Sequence, residues 1–514
     1  MSFKVCNEIE KDTLIELLDQ YKRIEKSLSK VQNCIVDNDD VENDNKLKSI
    51  IEKQLESTDV DMLSIKRTEV SYSYQKERFI PPKKAVTTKS TDIQYSSIYF
   101  NRLEKLRPML QEHIEKKHTG VTIHKILHLK PTGEECILIG TIYKDMELKP
   151  NILKQYAADR DLKVAPQSSK SYISDGDKLY FEDDTGRVKL IGSQEIVDGL
   201  VTGLNVAIRG KCLVSDEFEI HDIILPGVPP QTYLKEVEEL NDDVYVALVS
   251  SILVGNPNSI FQTNLLLDYL NGSLGMNTEQ TLVSKIARLI IVGNSVHKED
   301  EPPETFMKFN TKKEILEKQK KLARPIKEFD SFVSELCQTI PVDIIPGTTD
   351  PTNTSLPQAP LNVCLFPFAR QNSNFNPVTN PYESFIGGRI FLGTSGQNID
   401  NAARYMKSEN KIEILEKTLV WRHISPTSPD TLPCDALDED PFIIEHCPHV
   451  YFIGNQDQYD SKLLKGPNDE SIRVILVPKF SETSTIVLLN LKTLDTTPIQ
   501  FDTSTFFPHS PSTN

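Results

Sequence analysis

Three times in this chain a run of large aliphatic residues stops at or next to a glycine and gives way to a polar turn. Residues 289–300 read LIIVGNSVHKED, residues 450–457 read VYFIGNQD, and residues 343–350 carry the variant DIIPGTTD. Runs that stay apolar through consecutive positions are strands covered on both faces, and such strands belong to layered α/β folds. Loops at the carboxyl ends of buried strands are where these folds place binding and catalytic groups. The runs therefore constrain both the fold class and the place where function would sit.

The flanking sequence repeats this alternation. VYVALVSSILVG is followed by a helix-like IFQTNLLLDYLNG, and VSKIARLIIVGN precedes the charged helix TKKEILEKQKKLARPIKEFDSFVSELCQTI and then VDIIPGTTDP. Further on come RIFLGTSGQNIDN, the helix KIEILEKTLVWRH, HVYFIGN, and two C-terminal strands, IRVILVPKF and STIVLLNLKTL. This order predicts an α/β sandwich over residues 233–502, with LPGVPPQTYLKE at its upstream boundary. Pro346-Gly347 and Gly393 read as tight strand-to-loop turns.

Residues 92–232 have a different texture. An amphipathic helix, YSSIYFNRLEKLRPMLQEHIEKK, is followed by ECILIGTIYKD, KLYFEDDTGRVKLIG, NVAIRGKCL and EFEIHDIILP. Short strands without helical alternation predict a small closed barrel of the OB type, and EDDTGR reads as a hairpin turn whose glycine tolerates a positive φ. Such barrels can bind single strands on aromatic platforms. Here the aromatics, Tyr143, Tyr180, Phe181 and Phe218, are sparse and the turns acidic, which favours protein docking. A formal net charge of -16 likewise gives no electrostatic footprint for general nucleic-acid binding.

Residues 1–91 form a charged extension. Leu14, Leu17, Tyr21, Ile24, Leu28 and Val31 make one apolar seam on a short helix, VDNDDVENDN is an acidic break, and FIPPKKAVTTKSTD reads as a linker. Residues 503–514 read as a disordered tail. The eight cysteines have no CxxC spacing, so reduced, mostly buried thiols are expected and neither a zinc site nor any cofactor is. With no signal-like or membrane-spanning apolar run, the chain reads as soluble and intracellular.

From about 240 to 480 the strand ends resemble calcineurin-like phosphoesterases in order and spacing. That family's pattern, D-x-H, G-D-x-x-D, G-N-H-D/E, a later His and G-H-x-H, holds two metal ions, one of which activates the attacking hydroxide. The ligand types differ here. Ser251 and Leu253 stand for the first Asp and His, and Asn294 replaces the bridging Asp, with His297 at the end of that motif. Thr348 and Thr349 replace Asn and His ahead of Asp350, Ser395 takes the place of a His, and Asn455 and Asp457 replace both final histidines. Leucine and threonine cannot hold divalent ions, and two close cations need several anionic ligands. The resemblance thus implies an OB-fold barrel joined to an inactivated phosphoesterase sandwich, with no catalytic and no metal-binding residue.

Longer motifs narrow the family. VDIIPGTTDPTNTSLPQAPL, VTNPY, FLGTSGQNI, RHISPTSPDTLPC, CPHVYFIGN and SYISDGDKLYFEDDTGRVKLIG resemble the small (regulatory, B) subunits of eukaryotic DNA polymerase delta across about 92–500. This resemblance implies a nuclear, non-catalytic scaffold for replication and repair with little direct DNA binding. It would bridge the C-terminal metal-binding module of the catalytic subunit and an accessory third subunit, and could be shared with the translesion polymerase zeta catalytic subunit. The competing readings are an active metal-dependent phosphoesterase or nuclease and an OB-driven single-stranded DNA binding protein. Within RHISPTSPDTL, His423 reads as a packed hydrogen-bonding residue rather than a base for Ser425 or Ser428. In the tail, Gln500 followed by Phe506 and Phe507 has the spacing of a sliding-clamp-binding peptide, although Thr503 stands where an aliphatic anchor belongs.

Overall fold

A computed structural model of the chain describes residues 67–80 and 95–501, apart from 119, 132, 151–169, 232–241, 299–311, 409, 436 and 438. The seam expected over Leu14–Val31 and the tail residues Phe506 and Phe507 lie outside these residues. Among the described residues no helix is long and apolar enough to cross a membrane.

The first described segment, residues 67–80, belongs to the stretch read as a charged extension and packs into the body of the chain. Strand β1 (Tyr72–Tyr74) pairs antiparallel with the edge of a sheet, and helix α1 (Lys76–Phe79) buries Phe79 in the main core. Arg67 donates to the carbonyls of Leu270, Val283 and Ile286, tying this segment to two helix ends and the start of a strand. Phe79 and Arg67 tie this charged segment down, which its overall composition conceals.

Helix α2 (Tyr95–Lys117) leads into the barrel. Its buried residues Leu103, Leu110 and Ile114 recur at helical spacing and pack on Ile137, Ile139, Ala207 and Ile224. Six strands follow, β2 (Ile123–His124), β3 (Glu135–Asp145), β4 (Lys178–Glu182), β5 (Arg187–Ile191), β6 (Asn205–Cys212) and β7 (Glu217–Ile224), with short helix α3 (Gln194–Gly199) between β5 and β6. Their order is β2-β3-β4-β5-β7-β6, and antiparallel pairing of β3 with β6 closes the barrel. The β4–β5 hairpin forms at EDDTGR as expected. Its turn is set by the Asp183 carboxylate, which accepts from the N–H groups of Thr185 and Gly186, while Gly186 is not among the positive-φ glycines.

The sandwich contains β8 (Tyr245–Val249), α4 (Ile260–Leu270), α5 (Asn277–Ser284), β9 (Ile286–Val292), α6 (Lys312–Leu336), β10 (Val342–Ile345), β11 (Phe375–Pro377), β12 (Tyr382–Ile386) and β13 (Arg389–Thr394). It is completed by α7 (Gln397–Ala403), α8 (Lys411–Val420), β14 (Val450–Gln456), β15 (Asp460–Lys465), β16 (Ser471–Pro478), α9 (Phe480–Thr483), β17 (Thr485–Asn490) and β18 (Thr496–Gln500). One sheet runs β11-β10-β9-β8-β17-β18, the other β1-β12-β13-β14-β16-β15. The strands β8 to β11 are mutually parallel, as are β13, β14 and β16; the remaining pairings are antiparallel.

Val246, Leu248, Ile290 and Val292 of the first sheet face Phe391, Phe452, Ile475 and Val477 of the second. Their neighbours Ala247, Leu289 and Ile291 point outward onto α4, α5 and α6. Burial on both faces is why these strands read as unbroken apolar runs. Gly393, expected at a turn, lies inside β13, where a Cβ would meet the Phe452 ring at 2.1 Å. The outer face of the second sheet, with Leu392, Tyr451 and Val474, shares one apolar cluster with α7, α8 and the barrel interior. Barrel and sandwich therefore have a common core.

Candidate functional site

The glycine-terminated strands deliver their loops to one end of the sandwich. Ser251 and Leu253 follow β8, Asn294 and His297 follow β9, Thr348, Thr349 and Asp350 follow β10, Ser395 follows β13, and Asn455 and Asp457 lie at the end of β14. Ser251, Leu253, Asn294 and Asn455 all have left-handed backbones, with φ of 50, 51, 54 and 59°. Such conformations cost L-residues roughly 1–2 kcal/mol each and gather where loop geometry is dictated by function or tight packing. Gly293 (φ 77°) is needed for the second reason: a Cβ there would sit 2.5 Å from the Ser395 Cβ.

Most of the sequence-selected residues meet in one hydrogen-bonded web. The Ser251 hydroxyl donates to Asn455 Oδ1 at 2.8 Å, and Asn455 Nδ2 donates to the Ser395 carbonyl at 2.6 Å. The Ser395 N–H donates to Asn380 Oδ1 at 3.1 Å. Asn380 Nδ2 in turn faces Gln358 Oε1, Ser395 Oγ and Gln397 Oε1 at 2.8, 2.7 and 2.8 Å. Gln358 Nε2 reaches the Gly347 carbonyl at 3.2 Å, while Thr348 Oγ1 and the Thr349 N–H donate to Asn294 Oδ1 at 3.1 and 3.2 Å.

Asp350 is the carboxylate inside this region. It accepts from the N–H groups of Ser295, Val296 and Gly347 at 2.8, 3.0 and 2.8 Å. Burial pushes its pKa up to about 6, against the lowering effect of those donors. Asp457 is turned outward, 72% exposed and 2.8 Å from Lys479. His297 joins the web only by its backbone, donating to the Val254 carbonyl at 2.9 Å. Leu253 likewise contributes its backbone, donating to the Asn294 carbonyl at 3.2 Å.

These side chains do not fit a two-metal centre. The groups at the ligand positions are amides and hydroxyls already bonded to each other, and the buried carboxylate is committed to backbone donors. Among the described residues no group of three or more His, Cys, Asp or Glu side chains could hold a metal ion.

A second polar cluster lies where barrel meets sandwich. Arg102 Nε of α2 donates to Asp440 Oδ2 at 2.6 Å, and its other nitrogens reach the carbonyls of Gly203, Pro426 and Ser428. His423 Nε2 lies 2.9 Å from the same Asp440 oxygen, and its Nδ1 accepts from the Ser425 N–H at 3.1 Å. With Nδ1 accepting, Nε2 carries the proton toward Asp440. The Ser425 and Ser428 hydroxyls bond to each other at 2.8 Å, so neither is presented to a base.

On the barrel surface the Arg187 guanidinium lies between the Tyr143 and Tyr180 rings, 4.5 and 4.9 Å from their centres, and Lys149 Nζ lies 4.9 Å from Tyr143. The two tyrosine faces that could have stacked bases are occupied by the chain's own cations.

The expectation for the tail fares differently. Gln500 is the last residue of β18, paired with Thr485, and its side chain donates to the Thr483 carbonyl at 3.2 Å. The first anchor of the expected clamp-binding peptide is therefore held in a sheet. Arg102, Asp440, Gln358, Asn380 and Gln397 were not foreseen. Arg102 had a signal, since it interrupts the apolar stripe of α2 between Ile98 and Leu106. Gln358, Asn380 and Gln397 fall inside the quoted motifs ending in QAPL, VTNPY and FLGTSGQNI, but nothing in those motifs shows that they meet; Asp440 has no local signal.

Comparison with known proteins places these features in a family. The family described as DNA polymerase delta subunit OB-fold domain matches residues 94–223, and the B-subunit family of DNA polymerases alpha and epsilon matches residues 246–461. The chain is 39% identical over 413 residues to the DNA polymerase delta small subunit of Oryza sativa subsp. japonica, covering 80% of this chain and 94% of that one. It is 41% identical over 414 residues to the protein of the same name from Arabidopsis thaliana (80% and 91% covered). With the one from Saccharomyces cerevisiae it shares 32% over 454 residues (80% and 89% covered). By these identities and coverages, the chain belongs to the family of DNA polymerase delta small subunits.

Proposed function

We propose that this chain is a non-catalytic assembly subunit of nuclear DNA polymerase delta, built from an OB barrel and a sandwich that is an inactivated phosphoesterase. In this reading it carries the C-terminal metal-binding module of the catalytic subunit and an accessory third subunit. The same subunit would be shared with the catalytic subunit of polymerase zeta in translesion synthesis. The vestigial positions are then Ser251, Leu253, Asn294, His297, Thr348, Thr349, Asp350, Ser395, Asn455 and Asp457.

The observation that carries the reading is the commitment of Ser251, Asn294, Thr348, Ser395 and Asn455 to loop-to-loop bonds and of Asp350 to backbone donors. An acid–base or metal-assisted hydrolysis needs groups free to take a proton or a cation at the strand ends. Here Ser251, Asn455, Ser395 and Asn294 spend their polar atoms on loop-to-loop bonds. The occupied tyrosine faces on the barrel favour protein docking over single-strand binding.

Co-purification of the full chain with the catalytic subunit's C-terminal module, followed by metal analysis of the chain alone, tests the proposal. A stable complex, a metal-free chain and no cleavage of a generic phosphodiester with added manganese are expected. Manganese-dependent cleavage lost on Asp350→Ala would overturn it.

A further inference from the structure

We propose that the strand-end web is a metal-free cross-link which takes over the tethering of the catalytic loops, a task that metal ions perform in an active phosphoesterase. The inference rests on the inactivated-phosphoesterase reading above and goes beyond it. That reading says the ligands are gone; this one assigns what replaced them. Loops at the carboxyl ends of parallel strands come from distant parts of the chain and need a common anchor. A dinuclear centre supplies one by binding ligands from each loop.

In this chain the anchor is Asn380, a residue at none of the phosphoesterase ligand positions. Its amide joins Gln358 to the Ser395–Gln397 loop, and its Oδ1 accepts from the Ser395 backbone. The Ser395 carbonyl passes the link to Asn455, and Asn455 passes it to Ser251 by Oδ1 and to Ser250 by its backbone N–H. Gln358 passes it to Gly347, whose N–H donates to Asp350, and Asp350 holds Ser295 and Val296.

One continuous path thus connects the ends of β8, β9, β10, β13 and β14, and so ties the two sheets together. Apart from the Asp350 carboxylate, the path is built from neutral amides, hydroxyls and backbone groups that bond one another in a largely buried setting, where an unpaired polar group is costly. Gln358, Asn380, Ser395 and Gln397 also fall inside the long motifs QAPL, VTNPY and FLGTSGQNI. A cross-link gives those residues a physical role that turn formation alone does not.

Native-state hydrogen exchange on the full chain tests the inference, read on loops 250–256, 293–297, 346–358 and 394–397, with strand β6 as the reference for global folding. Asn380→Asp keeps the side chain's size and its Oδ1 acceptor but loses the donor shared by three oxygens. It is expected to lower loop protection by about ten- to a hundredfold while β6 is unchanged. Asp457→Asn, on the same face but outside the web, is expected to leave protection intact. Addition of a chelator to the wild-type protein is expected to change nothing.

If Asn380→Asp does not fold, Ser251→Ala removes one bond at the rim and is expected to give a several-fold local loss. Protection that falls on chelation and returns with manganese would overturn both this inference and the inactivated-phosphoesterase reading. Chelator-insensitive loops that stay equally protected in the variants would overturn the cross-link alone.

Discussion

Arg102 and Asp440, 338 residues apart, meet at 2.6 Å with their side chains 1% and 0% exposed. One belongs to the helix that leads into the barrel, the other to a loop of the sandwich. A buried pair of this kind is not a general source of stability, because desolvation offsets much of its attraction. What it does is make one arrangement of the two domains compatible with charge balance. The shared apolar core could tolerate small slips; a separated guanidinium and carboxylate could not.

Arg102→Met should therefore destabilise the chain by about 3–5 kcal/mol, since Asp440 is left buried without its partner. Arg102→Met combined with Asp440→Leu should recover a large part of that loss. Urea denaturation of the two singles and the double measures the coupling, and additive losses would show that the pair does not act as a unit.

Lys144 crosses the same boundary with less support and should behave oppositely. It is 1% exposed, its Nζ donates to the Tyr405 carbonyl at 2.8 Å, and burial pulls its pKa down to about 8 despite Asp177 and Asp198. The folded chain then holds fewer protons than the unfolded one between about pH 8 and 10.5, so stability rises with pH across that window. Lys144→Met should leave stability at pH 7 unchanged or higher, and should abolish the alkaline rise in thermal melts.

Acid stability should be governed by groups of opposing sign. Burial, with Arg102 beside it, holds the His423 pKa at about 4, and burial together with Arg389 does the same for His449. The unfolded chain takes up these protons below about pH 6.5, so stability is lost as pH falls from there toward 4. Burial works to raise the pKa of Asp440, but Arg102 and His423 prevail and hold it well below the usual carboxylate range, which adds a further loss below about pH 4. Asp350, raised to about 6, is protonated first in the folded chain and gains stability over the same interval. In urea titrations between pH 4.5 and 7, His423→Gln should flatten the slope by about one proton, roughly 1.4 kcal/mol per pH unit, and Asp350→Asn should steepen it. Unchanged slopes in both would refute the assignment.

The segment 67–80 should matter more than its composition suggests. Phe79, 2% exposed in the main core, should cost about 3–5 kcal/mol on truncation to alanine. Arg67→Ala should cost about 1–3 kcal/mol through the loss of its bonds to three carbonyls. Chemical denaturation of the two variants decides this, and wild-type midpoints would mean the segment is only laid on the surface.

The barrel strands β3 to β7 and the sandwich strands β8 to β10, β13, β14, β16 and β17 were all legible before any coordinates. Their signal is local: an unbroken apolar run, or alternation next to a turn, records how many faces of a strand are buried. Strands β1, β2, β11, β12, β15 and β18 have no counterpart in that reading. Edge strands such as β15 and β18 are short and largely exposed, so little in their own sequence separates them from loop.

At the candidate site the sequence determined which residue types stand at the strand ends, and Leu253, Thr348 and Asn294 are neither carboxylates nor imidazoles. It also placed glycine turns just past β9 and β10, whereas Gly454 lies inside β14. Only the tertiary structure decided what those residues do instead. Asn380 meets Gln358, Ser395 and Gln397, and Arg102 meets Asp440, because loops from distant strands converge at one end of two packed sheets. Burial pattern is written in neighbouring residues; a hydrogen-bond partner hundreds of residues away is set by how the layers stack.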